Sequence, residues 1–157
     1  MIETILYVAL ATVILYVIAS LYMAMLTVQA KNQSATNVTL ASEEALNHIL
    51  QTIRDAQSVV APEVGQESTE ISLEMHDGAL YPTETISLLD GVLMMQDGSQ
   101  PPIALTPSSI VVSELMFSNL STQSPHSIRV TFTAASNAGG RPDLAYSNTF
   151  YATATTR

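Results

Sequence analysis

The chain has 157 residues, no cysteine and a formal net charge of −9. That length suits one modest domain with an appendage and is too short for two ordinary domains. Without cysteine there is no disulfide, thiolate metal site or cysteine nucleophile. An acidic chain with no basic stripe repels phosphate backbones and anionic lipid, so direct nucleic-acid binding is not expected.

The apolar residues are concentrated at one end. Residues 5–30 carry no charged side chain and no proline, a run of 26 residues. A helix needs about 20 residues to cross a ~30 Å hydrocarbon layer. Residues 32–157 are polar, rich in Ser and Thr, and set thirteen acids against Arg54, Arg129, Arg141 and Arg157, while Glu3 and Lys31 cancel. A cleavable secretory signal requires a basic start and an apolar stretch of about 7–15 residues. Here the charge before the run is acidic Glu3 and the run is too long, even though Val28-Gln29-Ala30 loosely resembles a cleavage site. A generic single-pass anchor fits the length but gives no reason for an acid at the start, and Lys31 lies at the wrong end for the usual cytoplasmic excess of basic residues. An ionisable group bordering an apolar helix implies a partner. The simple alternative is a helix-start carboxylate, favoured by the macrodipole by about 0.3–1 kcal/mol. The sharper expectation is that Glu3 meets the α-amino group of a neighbouring subunit when such helices bundle.

Met1-Ile2-Glu3-Thr4-Ile5-Leu6-Tyr7-Val8-Ala9-Leu10 resembles the start of the class III signal motif of type IV pilins and type II secretion pseudopilins. In that family a basic leader ending in Gly is cut before a sequence like Phe-Thr-Leu-Ile-Glu, which about twenty apolar residues follow. Ile2-Glu3 matches the Ile-Glu pair. The resemblance implies that Glu3, with the N-terminus at Met1, docks a new subunit onto the filament. The family glutamate is fifth in the mature chain and here it is third. Either the chain as given starts inside the motif, Met1 standing where the family carries Leu with the leader encoded upstream, which is the favoured expectation, or the protein departs from the family's standard processing. Ile5, Leu6, Val8, Leu10, Val13, Ile14, Val17, Ile18 and Leu21 are then the residues of the membrane span and filament core. Ala9, Ala11, Ala19, Ser20 and Ala24 permit close helix approach.

No Pro or Gly occurs from residue 1 to residue 61, so the expected helix runs from about Thr4 to Val60, with a polar stretch at Gln29–Asn37 whose weak helix formers favour loosening. Val38, Ala41, Ala45, Ile49, Ile53, Ala56 and Val60 recur at three- and four-residue steps, with Leu46 and Leu50 widening the stripe. Leu46, Ile49, Leu50 and Ile53 are the candidates for packing helix onto head. Glu43, Glu44, Arg54 and Asp55 fall off the stripe, and Ser42 reads as an interior polar position. The segment Ile53-Arg54-Asp55-Ala56 followed by Pro62 is also similar to minor pilins and pseudopilins.

Beyond residue 62 the pattern is that of strands. Glu70–Met75, Thr83–Leu88, Ser127–Ala134 and Ser147–Thr155 alternate, and Ile110–Phe117 reads as a further strand after Pro101-Pro102 and Pro107. Asp90-Gly91 between two apolar runs signals a two-residue hairpin. Asp77-Gly78, Asp97-Gly98 and the loop 137–142 mark further turns. Connections this short make the sheet antiparallel.

Chemistry is sparse. His48, His76 and His126 are far apart and lack ligand spacing, so surface or satisfied histidines are expected, with no metal site. No nucleophile elbow and no phosphate-cradling loop occurs. Each Asp-Gly stands alone, which suits turn chemistry better than a calcium loop. Asn32, Asn37 and Asn119 begin glycosylation sequons, which arise easily by chance in such a composition. The fold class expected is therefore α+β, a pilin-like lollipop. Residues 1–30 form a transmembrane or filament-core helix, 31–61 an amphipathic helix on the head, and 62–157 an antiparallel β-rich head. No enzymatic activity and no cofactor are expected. The resemblance implies a homo-oligomeric or mixed pilin filament, a prepilin peptidase that also N-methylates, an assembly ATPase and an inner-membrane platform. It further implies an inner-membrane precursor and then a periplasmic or extracellular filament, serving adhesion, twitching motility, DNA uptake or secretion. The alternative is a single-pass anchored binding or adhesion domain that never polymerises.

Overall fold

A computed structural model of the chain describes residues 2–76, 80–121, 125–139 and 144–157. The chain opens with one α-helix, α1 (Ile2–Asp55), of 54 residues. At 1.5 Å per residue it is about 80 Å long. It does not loosen at the polar stretch. Thr36 and Thr39 turn their hydroxyls back onto the carbonyls of Asn32 and Ala35 (2.9 and 3.0 Å), as Thr27 does onto Met23 (3.0 Å). Such back-bonding satisfies the side chain inside the helix rather than offering the backbone an exit.

The helix stops five residues short of Val60, where the apolar spacing had carried it. Ala56–Ala61 is a strand, β1, paired antiparallel with β3 (Ile71–Met75) from Ala56↔Met75 to Ala61↔Ser72. Ser58-Val59-Val60 is a poor helical stretch because β-branched residues lose χ1 freedom there. Strand pairing therefore wins. Ala56 is still buried, but Val60 is exposed, so the stripe ends at Ile53 in helical terms.

The remaining strands are β2 (Glu67–Ser68), β4 (Thr83–Leu89), β5 (Val92–Asp97), β6 (Ile103–Ala104), β7 (Ile110–Asn119), β8 (Ser127–Ser136) and β9 (Ser147–Thr155). They form two antiparallel sheets rather than one, in the orders β1-β3-β4-β5-β6 and β2-β7-β8-β9. The β4–β5 hairpin pairs Leu89 with Val92 across Asp90 and Gly91, both left-handed at φ 50° and 78°. Two successive positive φ values match the twist of the flanking strands. A Cβ at Gly91 would come within 2.9 Å of Val111 Cγ1, and the Gly91 carbonyl accepts from the Val112 amide at 2.7 Å. The hairpin tip is thus pinned to β7, which ties the two sheets together. The Asp77-Gly78 turn and the Gly140–Pro142 part of the 137–142 loop lie outside the described residues.

The core sits where the second half of α1 meets both sheets. The helix contributes Val38, Ala45, Ile49, Leu50 and Ile53. The first sheet contributes Ile71, Leu73, Ile86 and Leu93, and the second Val112, Leu115, Phe117, Ile128, Val130 and Phe132. Phe132 and Phe150 stack with centroids 5.6 Å apart. Leu46 packs on the edge of this cluster. Ser42 is completely buried, and its hydroxyl has no hydrogen-bond partner. Glu43, Glu44, Arg54 and Asp55 are exposed, off the buried face.

Candidate functional site

Among the described residues, the first half of α1 packs on nothing in the head. Every residue from Ile2 to Gln29 is exposed. Among them are Ile5, Leu6, Val8, Leu10, Val13, Ile14, Val17, Ile18 and Leu21, between 49 and 69% accessible. Fully burying a Val, Leu or Ile side chain is worth roughly 1.5–3 kcal/mol, so these nine, already partly shielded by their own helix, represent on the order of 10 kcal/mol of unmet burial. Such a surface is stable only in lipid or against other chains. The segment is long and apolar enough to cross a membrane, which fits membrane anchoring.

Two shallow apolar grooves run on this helix and meet at Ala9. One is lined by Thr4, Ile5, Val8 and Ala9, the other by Leu6, Tyr7, Ala9, Leu10 and Val13. A small residue between bulky ones gives a neighbouring helix a place to approach closely. Glu3 lies in the first turn and is exposed. Met1 lies outside the described residues. Tyr7, Tyr16 and Tyr22 are exposed within the same span and bring phenolic hydroxyls into the apolar surface, a feature that counting charges alone overlooks.

The helix-to-head residues are brought together as the spacing predicts. Ile49 and Ile53 are fully buried, Leu50 nearly so, and Leu46 is half-buried. They join the exposed apolar half rigidly to the head, because no break separates the two halves of α1.

No protein-family model, no curated protein and no solved structure matches the chain.

The head carries one electrostatic feature that the sequence did not single out. Glu84 on β4 and Asp97 on β5 are direct cross-strand partners. Like charges placed opposite one another in a ladder repel. Glu84 is half-buried, and its carboxyl is raised above the ordinary glutamate value, first by burial, then by the charges of Asp97 and, more weakly, Asp55; His48 acts in the opposite sense. Asp97 Oδ1 is buried without a hydrogen-bond partner. Among the described residues no group of three or more His, Asp or Glu is placed to hold a metal ion. His48 is exposed on α1, while His76 follows β3 and His126 precedes β8, so the three stay apart. Asn119 is buried and donates through Nδ2 to the Pro62 carbonyl at 3.0 Å, which removes it as an accessible sequon.

Proposed function

We propose that the chain is a structural subunit of a type IV pilus-like filament, a pilin or pseudopilin that assembles through its N-terminal helix. The observation that carries this reading is the unbroken α1, exposed and apolar for its first half and buried in the head for its second. A simple anchor needs the first half alone. Continuation of the same helix into the core makes head and span one rigid unit, so that packing spans side by side also fixes where the heads sit. The resemblance at Ile2-Glu3 supplies the direction of assembly. The subunit waits in the membrane, and its helix leaves lipid to pack against others, with Ala9, Ala11, Ala19, Ser20 and Ala24 at the close approaches. Glu3 offsets its own burial by pairing with a neighbouring amine, which penalises a wrong register. A peptidase that trims and N-methylates the chain, an assembly ATPase and a membrane platform are the partners this reading requires. The heads are displayed outward for adhesion, motility, DNA uptake or secretion, and the work of the chain is assembly rather than catalysis.

Replacing Glu3 by Ala tests it. The span keeps its length, so membrane insertion persists, while filaments seen by electron microscopy are lost or sharply reduced. Normal filaments from Glu3→Ala would sink the assembly role. A protein that stays in the membrane in both forms, with no filament in either, would identify the non-polymerising anchored domain instead.

A further inference from the structure

Lys31 is the only basic residue of α1 before Arg54, which stands in its last turn. It is exposed just past the apolar run, and its side chain forms no ion pair or hydrogen bond among the described residues. The same holds for Glu43 and Glu44, which flank a groove on the exposed face of α1 whose lining also includes Leu40 and Asn47. Leu40 is 62% accessible there, an apolar floor turned to solvent. Lys31 does not reach either acid in its own chain. Along one unbroken helix they lie about 18–20 Å away, some two Debye lengths in physiological salt.

Two copies inserted the same way in one membrane run parallel. Packed level, they set Lys31 against Lys31 and Glu3 against Glu3, the second pair in apolar surroundings where like charges cost most. Sliding one copy along the other by thirteen residues, about 20 Å, removes both clashes. Lys31 then stands beside Glu44 of the next copy, and Glu3 beside that copy's Tyr16, whose phenol is 76% accessible. A carboxylate has acceptor sites for this phenol and for an amine from another neighbour. Glu3 and Lys31 are separated by twenty-eight residues, and so are Tyr16 and Glu44. That spacing is four heptads, which returns a packed helix to the same face. Between these ends Ile14, Val17 and Leu21 of one copy meet the smaller or polar Thr27, Ala30 and Ser34 of the next. The two stripes lie on different faces of α1, so the contact is heterologous, and its repetition gives an open filament rather than a closed pair.

We infer that Lys31 sets the axial register of the filament by seating in the groove between Glu43 and Glu44 of a second copy of this chain, staggered by about thirteen residues. The inference rests on the filament reading and adds to it the contact that fixes the stagger. The lysine stem lies along Leu40, and its ammonium stands between the two carboxylates. A copy displaced by one or two helical turns leaves Lys31 facing neutral side chains, so the groove penalises the wrong register.

The chain has no cysteine, so introduced pairs report contacts without background. Ala24→Cys combined with Asn37→Cys keeps every charge and spaces two exposed positions by the same thirteen residues. Within one chain they are about 20 Å apart, whereas a disulfide needs Cα atoms within about 7 Å. Mild oxidation of filaments of this double variant is expected to give a ladder of covalent multimers on a denaturing gel, and either single variant no ladder. Abundant dimers from a single variant would show level packing and overturn the proposal. In cells that build filaments from the unaltered chain, Lys31→Glu and Glu44→Lys are each expected to cut filament number about tenfold or more, and the two together to restore about half. Normal filaments from Lys31→Glu would hand the groove to another cation, such as Arg129 or Arg157. That result, the lack of rescue, or the lack of a ladder would overturn the register and leave the filament reading in place. No filaments from the unaltered chain would remove both.

Discussion

Replacing Ile53 by Ala separates the two halves of α1 by their energetics. Ile53 is fully buried among the residues of the helix–sheet core. The substitution removes three carbons, about 2.4 kcal/mol of transfer free energy at ~0.8 kcal/mol per carbon. The vacated space adds a cavity penalty, which brings the expected loss to about 3–4 kcal/mol, inside the range of about 2–5 for large-to-small core changes. Set against a domain stability of about 5–15 kcal/mol, that is a large fraction. Thermal or urea unfolding of the full chain in micelles, followed by a tyrosine signal from the head, reads it as a melting point lower by roughly 10 °C or more. Val13→Ala is the control, since Val13 is 60% accessible and touches no part of the head. Its unfolding curve is expected to overlay that of the unaltered chain. A loss below about 1 kcal/mol for Ile53→Ala, or equal losses for the two variants, would refute the division of α1 into a free half and a packed half.

The raised Glu84 carboxyl gives a pH dependence of known sign. Because the folded state binds that proton more tightly than the unfolded chain, stability is highest below the usual glutamate value of 4.5 and falls as pH rises through the raised folded value. Glu84→Gln mimics the neutral form, so its urea midpoint is expected to match the unaltered chain near pH 4 and exceed it near pH 7; identical midpoints at both would exclude strain between Glu84 and Asp97. Ser42→Ala removes a buried hydroxyl that has no partner and restores a better helix former. We expect a gain of about 1 kcal/mol in unfolding free energy, and a measured loss would mean that the hydroxyl is hydrogen-bonded in solution.

Much of the architecture is legible in the sequence where one local signal dominates. The two-residue turn at Asp90-Gly91 is specified by residues that tolerate positive φ, and both adopt it. β9 begins and ends at Ser147 and Thr155, where the alternation does. Ile49, Leu50 and Ile53 declare a buried face by spacing alone, and the structure buries all three. The residues after Asp55 are different. Ala56 and Val60 continue the helical period numerically, yet their segment pairs with Ile71–Met75, across separations that run from Ala56↔Met75 to Ala61↔Ser72 and that a local helical window does not contain. Glu84 and Asp97 are equally unreadable as a pair, because a strand sequence does not announce its register.

The sequence by itself determined the greasy, charge-free span with Glu3 at its start, the absence of any helix breaker before Pro62, and the antiparallel character of the head. These rest on properties each residue carries into any context: hydropathy, backbone freedom and the missing proline N–H. Only the tertiary structure decided that the strands divide into two sheets, that the helix yields to β1, and that β9 is left as an open edge. Those outcomes depend on which distant segments meet, and there the free energy of pairing and burial exceeds any local preference.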